Sequence, residues 1–180
     1  GIAVGVAALF IMAYISFAFR LMTNSFRLGV AAILAALHDV IITLGLFSIL
    51  GKVIDLEVNA MFITGILAVV GYSVNDTIVV FDRIRENTAR RVSREMTSTI
   101  NISIMETLGR SLTTSITTLT VILALLFMGG GTIESLLYTL LIGVIVGTYS
   151  SIAIASQLLM VWEQGGWLPF LHRKETGAEA

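Results

Sequence analysis

Residues 59–81 of this 180-residue chain read NAMFITGILAVVGYSVNDTIVVF. One charged residue, Asp76, interrupts an otherwise uncharged stretch. A helix needs about 20 apolar residues to cross the hydrocarbon core of a bilayer, and this stretch meets that length. It lacks the strict polar and apolar alternation of a membrane β-strand. The stretch therefore predicts a membrane-spanning helix.

Four further runs have the same character, and the composition of the whole chain agrees with them. The chain is 56% hydrophobic and 13% charged, with a mean hydropathy of +0.93, whereas a soluble domain carries roughly a quarter charged residues. Backbone polar groups in hydrocarbon must satisfy one another, so long apolar runs form helices. The sequence predicts an all-α membrane protein, a five-helix bundle over 1–162 with spans at about 1–19, 28–50, 59–81, 111–128 and 133–162.

The basic residues indicate how the bundle is oriented. An alternating path through five spans places Lys52 alone on one side, and Arg110 lies at the mouth of the fourth span. Basic residues collect in cytosolic loops, so the opposite side is predicted to be cytosolic, as is the tail 163–180. Gly1 would then start outside, directly in an apolar run, which predicts a fragment of a longer protein. The nine predicted cytosolic residues are Arg20, Arg27, Arg83, Arg85, Arg90, Arg91, Arg94, Arg173 and Lys174.

The stretch 82–109 is predicted to connect the third and fourth spans on the cytosolic side. Apolar residues recur there every four positions, as on one face of an amphipathic helix. We expect a helix lying on the membrane surface and running into the fourth span, more as a connector than as a partner site. These apolar residues are Val92, Met96, Ile100, Ile104 and Leu108.

Several ligand classes receive no support from the residues. The chain has no cysteine, and its two histidines, His38 and His172, are far apart, so neither a thiolate site nor a histidine metal cluster is expected. The charges are divided between the two sides and form no basic patch for nucleic acid. We expect no cofactor and no metal.

Asp76 and Arg110 are the strongest candidates for a function. Both are predicted to enter the membrane from the cytosolic side, on successive spans and at similar depth, so they could form a pair. A charge at the bilayer centre costs about 3 kcal/mol on insertion scales, and such groups are functional by default. Pairing lowers the proton affinity of a carboxylate and burial raises it, so a balanced site could act as a proton relay. A fixed ion pair that joins two helices is the alternative.

Asp39 lies in the middle of the second predicted span. We favour a role in helix packing for it, with a proton role as the second interpretation. Its helical neighbours are small residues, which permit close helix packing and a hydrogen bond across the interface. His38 is expected to point about 100° away from it. The other polar candidates accompany these charges, with Tyr72, Ser73 and Asn75 before Asp76, and Thr113 and Thr114 after Arg110.

The last predicted span carries a face of small residues that recurs every four positions, at Gly143, Gly147 and Ser151. Small residues at this spacing let transmembrane helices approach one another closely. We therefore expect this face to pack against another span of the bundle.

Residues 71–87, GYSVNDTIVVFDRIREN, closely resemble the SecF family of protein-export subunits. The similarity continues at Leu37–Val40, Arg110–Ser115 and Gly143–Ser151, in the order expected for the family. The resemblance implies a six-helix half of the resistance-nodulation-division type that lacks its first helix and external domain here. It further implies a plasma-membrane protein with Asp76 and Arg110 in proton conduction.

The same resemblance implies the partners of the protein. These would be SecD, or a fused SecD half that completes a twelve-helix membrane domain, the SecYEG translocon, the translocating preprotein and membrane lipid. The coupling ion would be the proton, with sodium as an alternative. The implied function is export of preproteins driven by the proton motive force, without enzymatic chemistry.

Three other interpretations remain open at this point. One is a proton-driven exporter of the same superfamily that carries a small molecule or a lipid. Another is an intramembrane aspartyl protease using Asp39 and Asp76, which would need the two carboxylates to face each other across a wet site. A purely structural subunit is the third.

Overall fold

A computed structural model describes residues 25–128 and 131–163 of the chain, together with five helical residues before them, Val6, Leu9, Phe10, Ala13 and Tyr14. Most of the predicted first span, 1–19, and nearly all of the predicted tail, 163–180, lie outside the described residues.

The described part of the chain is helical. Its long helices are α1 (Ser25–Ile54), α2 (Ala60–Ala89) and α3 (Met96–Met128). A 3-10 turn (Gly131–Ile133) then leads into α4 (Glu134–Ser150), a π-helical turn (Ser151–Ala155) and α5 (Ser156–Glu163). The last three form one continuous rod. The segments long and apolar enough to cross a membrane are Arg27–Ile54, Ala60–Ala89, Met96–Met128 and Gly131–Trp162. The predicted all-α membrane class is confirmed, and the protein is a multi-pass membrane protein.

The start of α2 and the turn after it have clear local causes. The side chain of Asn59 caps α2 by accepting a hydrogen bond from the amide of Phe62 at 3.1 Å. At the other end the chain reverses through residues 90–95, where Arg91 adopts a left-handed conformation with φ 52°. We call this end of the bundle the turn end and the opposite one the Asn59 end.

The structure corrects the prediction of one amphipathic helix through 82–109. Residues 82–89 prolong α2, and 96–109 form the first part of α3, so the two helices make a hairpin. The apolar periodicity that motivated the prediction is real, but its partner is protein: Ile100 is fully buried against Phe81 and Ile84 of the core. The pattern in the sequence could not distinguish a bundle from a lipid surface, because both bury an apolar stripe.

The interior of the bundle is formed mainly where α2 meets α4. Gly143 of α4 lies so close to Val69 that any side chain there would overlap the valine, and Gly65 of α2 meets Thr139 in the same way. One turn beyond Gly143, Gly147 lies beside Ser73. Missing Cβ atoms thus let the two backbones approach closely, as is typical of membrane helix pairs. By contrast, α3 is the least buried of the four long segments.

Candidate functional site

Asp76 lies at the middle of α2, and its side chain is 7% exposed. The hydroxyl of Ser111 on α3 donates to Oδ1 at 2.8 Å, and the hydroxyl of Ser151 on the π-helical turn donates to Oδ2. Both partners are neutral. The carboxylate is thereby held by three helical segments at the centre of a rod about 45 Å long, counting 1.5 Å for each of the 30 residues of α2.

Arg110 does not pair with Asp76, although the structure describes both residues. No ion pair or hydrogen bond joins them, and Arg110 lies exposed on the outer side of α3. The reason is helical phase, because consecutive residues lie about 100° apart around a helix. Ser111 is the residue of this pair that faces α2, and Arg110 therefore points out of the bundle. The predicted buried pair is thus replaced by an Asp76–Ser111 contact.

A polar stripe accompanies Arg110 on the outer side of α3. Thr113 donates to the carbonyl of Gly109 at 2.8 Å and Thr114 to that of Arg110 at 3.0 Å, so both hydroxyls bond back to their own helix. Thr117 continues the stripe and bonds back in the same way. All four side chains of this outer stripe are exposed. Asn75, the residue before Asp76, is also exposed on its own helix.

Asp39 lies at the middle of α1 and is fully buried. Ser73 of α2 donates to its Oδ2 at 2.5 Å, and Nδ1 of His38 lies 3.0 Å from its Oδ1. The hydrogen bond to Ser73 crosses the helix interface in the way the small neighbouring residues predicted. The expected separation of His38 from Asp39 is wrong, because the imidazole contacts the neighbouring carboxylate.

A chain of hydroxyls continues from the Asp76 site toward the Asn59 end. Ser115, one turn after Ser111 on α3, lies 2.8 Å from the Tyr72 hydroxyl and 2.6 Å from that of Thr148 on α4. Sequence reasoning named Tyr72 but missed Ser111, Ser115 and Thr148. A signal was available, because hydroxyl residues recur every four positions along α3, at Thr99, Ser103, Thr107, Ser111 and Ser115.

The π-helical turn places Ser151 in the site. Within it, the hydroxyl of Ser156 donates to the carbonyl of Ser151 at 3.2 Å, five residues earlier. Single π turns inside α-helices occur frequently at functional sites. Here the turn coincides with the point at which the last span contacts Asp76, and sequence analysis had assigned Ser151 only to helix packing.

A second polar cluster joins α2 and α3 at the turn end. Nε of Arg83 donates to Glu106 Oε2 at 2.7 Å, and the buried amide of Asn87 donates to the same oxygen at 2.7 Å and to Ser103 at 3.0 Å. Arg83 also pairs with Glu86 at 2.5 Å. The hydrogen bonds from Arg83 and Asn87 hold the pKa of Glu106 below its ordinary value. This cluster lies beyond the apolar stretches 59–81 and 111–128.

The fold and this site define a class of protein: a polytopic helical membrane protein with carboxylates buried between its spanning helices, an arrangement typical of ion and proton pathways. Within that class, the chain belongs to the family described as protein export membrane protein SecD/SecF, C-terminal, whose model matches residues 1–165. The resemblance drawn from residues 71–87 is confirmed.

Relatives and solved structures agree with this assignment. The chain is 49% identical over 179 residues to protein translocase subunit SecF of Thermobaculum terrenum, covering 99% of this chain and 56% of the relative. It is 43% identical over 180 residues to the SecF subunit of Anaerolinea thermophila, covering 99% and 58%. The chain therefore spans a little more than half the length of these two relatives.

Longer proteins match as well. Protein translocase subunit SecDF of Thermus thermophilus is 44% identical over 153 residues, which cover 85% of this chain and 20% of the relative. A crystal structure of SecDF in a super-membrane-facing form superposes with a TM-score of 0.81 at 43% identity, over 91% of this chain and 21% of that one. A structure of SecDF from Thermus thermophilus, described as a translocon-associated membrane protein, gives 0.74 at 43% identity, over 85% and 20%. These matches favour neither a small-molecule exporter nor an aspartyl protease.

Proposed function

We propose that the chain is the membrane-embedded part of a SecF-type subunit that uses the proton motive force to assist export of preproteins. Asp76 is the group that takes up and releases the proton. The relatives are named as protein translocase subunits, which supports transport without covalent chemistry. The partners of the whole protein would be SecD, the SecYEG translocon and the preprotein, in a plasma membrane whose cytosolic side carries the turn end.

The observation that carries this proposal is the environment of the Asp76 carboxylate. An ionised carboxylate within hydrocarbon is costly unless it is paired or neutralised. No cation reaches Asp76 among the described residues, and its bonded partners are the hydroxyls of Ser111 and Ser151. Binding a proton is then the available way to neutralise the group. A fixed ion pair between Asp76 and Arg110 has no support in this geometry.

The partners of Asp76 suit both of its protonation states. A hydroxyl can donate or accept a hydrogen bond, and Ser151 has a second acceptor, the carbonyl of Thr148 at 3.1 Å. When Asp76 is ionised, Ser151 donates to Oδ2. When Asp76 carries the proton, Ser151 accepts from it and turns its own hydrogen toward Thr148. Rotation of one hydroxyl therefore accommodates either protonation state of Asp76 without a shift of the helices.

Arg110 and its stripe are best explained by a partner outside this chain. A guanidinium facing lipid at this depth would cost about 3 kcal/mol or more, so the outer stripe is expected to face protein. The SecD half is the natural candidate, because the SecDF relative contains this region in one longer chain. Arg110 would there meet an acidic group of SecD and act on Asp76 through the shared interface.

Proton flux through the complete SecD–SecF complex in proteoliposomes tests this function. We expect Asp76→Asn to reduce the flux driven by a pH gradient to the level of empty liposomes, since the amide cannot exchange a proton. Arg110→Ala should reduce it as well. Asp82→Asn is the matched control, because Asp82 lies on the same helix, is exposed and pairs only with Arg85 among the described residues. Wild-type flux in Asp76→Asn would refute the proposal.

A further inference from the structure

Two layers of polar side chains cross the bundle, and they lie one helical turn apart. The Asp39 layer contains Asp39 of α1 and Ser73 of α2, with Gly147 of α4 beside them. The Asp76 layer contains Asp76 of α2, Ser151 and Ser111. From the first layer to the second the chain advances three residues on α2 and four residues on the last span.

This spacing places the two buried carboxylates in adjacent layers of the bundle. Three to four residues correspond to about 4.5–6 Å along a helix axis. Two carboxylates buried in adjacent layers disfavour one another's ionised forms, so the proton occupancy of each is expected to depend on the other. Close approach of the helices contributes, because a Cβ atom at Gly147 would already lie 3.7 Å from Asp39 Oδ2.

The ionisable surroundings of Asp39 are few. On its own helix His38 contacts it, and the nearby titratable groups of α2 are Asp76, in the next layer, and Tyr72, whose hydroxyl contacts Ser115. The titratable groups of α4 lie elsewhere: Glu134 begins the helix at the Asn59 end, Tyr138 packs in the apolar cluster around Phe47, and Tyr149 is 64% exposed. Among the described residues no arginine or lysine pairs with Asp39. Its charge is therefore neutralised by a proton or by a protonated His38.

A second observation is a buried, unsatisfied hydroxyl close to Asp39. Thr43 lies one turn from Asp39 on the same face of α1, is fully buried, and its hydroxyl bonds to no protein group. Buried hydroxyls of this kind are normally satisfied by an internal water molecule. Thr43 is thus a buried polar group one turn from Asp39 that a water molecule would satisfy.

We propose that Asp39 is a second proton-binding carboxylate, coupled to Asp76, and that His38 delivers its proton. The imidazole side chain is 36% exposed, so its proton would come from water or from a partner group that covers this outer face of α1. Transfer of the Nδ1 proton to Oδ1 of Asp39 converts an imidazolium and a carboxylate into an imidazole and a carboxylic acid. This inference rests on the proposed function of Asp76, which it extends by a second binding group.

Infrared titration of the complete SecD–SecF complex in lipid, with isotopically labelled aspartate, tests the coupling. In the wild type, we expect the infrared signal of protonated carboxyl groups to change with pH in two steps. Asp39→Asn and Asp76→Asn should each remove a part of this signal. Removal of either carboxyl should shift the titration midpoint of the other, the mark of interacting sites. Each variant should titrate the remaining carboxyl in a single step. Asp82→Asn should preserve both steps.

The outcomes separate this inference from the proposed function. If Asp76→Asn abolishes proton flux while Asp39 contributes no titrating signal, or titrates without changing Asp76, the second site is refuted and the function stands. If Asp76 also fails to titrate, both are refuted. Should Asp39→Asn prevent assembly of the complex, Ser73→Ala retains both carboxylates and removes the donor to Asp39. It should change the separation of the two midpoints, and an unchanged separation would refute the coupling.

Discussion

Two carboxylates, Glu106 and Asp76, take part in polar contacts between α2 and α3, and their surroundings differ in charge. At the turn end, Glu106 receives Arg83 and the amide of Asn87, so a cation balances the acid. Asp76 lies nearer the middle of the same 30-residue helix, α2, and receives the hydroxyl of Ser111. The same two helices therefore carry one acid with a cationic partner and one with neutral partners.

The difference between Glu106 and Asp76 follows from their access to water. Charged side chains near water are inexpensive to solvate, and a permanent ion pair there contributes to a stable hairpin. Within lipid an ion pair must repay the desolvation of both charges, whereas a carboxylate among hydroxyls can be neutralised by a proton. The turn-end cluster joins α2 and α3 through an ion pair, whereas under the proposed function the Asp76 layer changes its protonation.

The largest effect is expected from Gly143→Ala, which should damage the buried contact and spare the one at the turn end. A Cβ atom at Gly143 would lie 2.6 Å from Cγ1 of the buried Val69 and closer still to Cγ2, so α4 must move away from α2. Overpacking of this kind costs about 1–3 kcal/mol, and the shift would draw Ser151 away from Asp76. The thermal denaturation midpoint of the purified complex and its proton flux should both fall.

Gly71→Ala is the matched control for that substitution. Gly71 lies on α2, is exposed, and has no atom within 4 Å of the position of an added Cβ. Alanine should leave the denaturation midpoint unchanged or raise it slightly, because alanine favours helix by about 1 kcal/mol over glycine. Equal behaviour of the two variants would show that the α2–α4 approach is looser than described.

A smaller effect is expected from Ser111→Ala, which removes one donor to Asp76 without disturbing the packing. Loss of a partner to a buried polar group costs about 1–3 kcal/mol, so the complex should denature at a lower temperature and conduct protons more slowly. Thr120→Ala removes an exposed hydroxyl of the same helix that bonds only to the carbonyl of Ile116, and should change stability by less than about 0.5 kcal/mol. A Ser111→Ala variant indistinguishable from Thr120→Ala would contradict the assigned contact.

Sequence patterns predicted elements well and side-chain directions less well. Apolar runs gave α1, α2, α3 and the last span, since hydrocarbon leaves few alternatives to helices, and burial costs pointed to Asp76 and Asp39. The direction of Arg110 could not be read from depth alone, because one residue of helical phase decided that Ser111 faces Asp76. Likewise, no residue propensity predicted the π-helical turn that places Ser151 beside Asp76. The SecF assignment depended on the motif at 71–87, which similarity to known proteins confirmed.

The smallest effect concerns the turn end and depends on pH. Hydrogen bonds from Arg83 and Asn87 hold the pKa of Glu106 below the ordinary 4.5, so its contribution to stability is present above pH 4.5. That contribution is lost as the pH falls below 4.5 through the lowered pKa of the folded state. In the wild type, amides in the turn 90–95 should therefore lose protection against hydrogen exchange at low pH. The Glu106→Gln variant should lack this dependence on pH. Because both partners are partly exposed, the change should be small and should diminish in high salt. If the wild type and Glu106→Gln respond identically to acid, the turn-end ion pair does not stabilise the hairpin, and the contrast with the Asp76 layer reduces to a difference in depth.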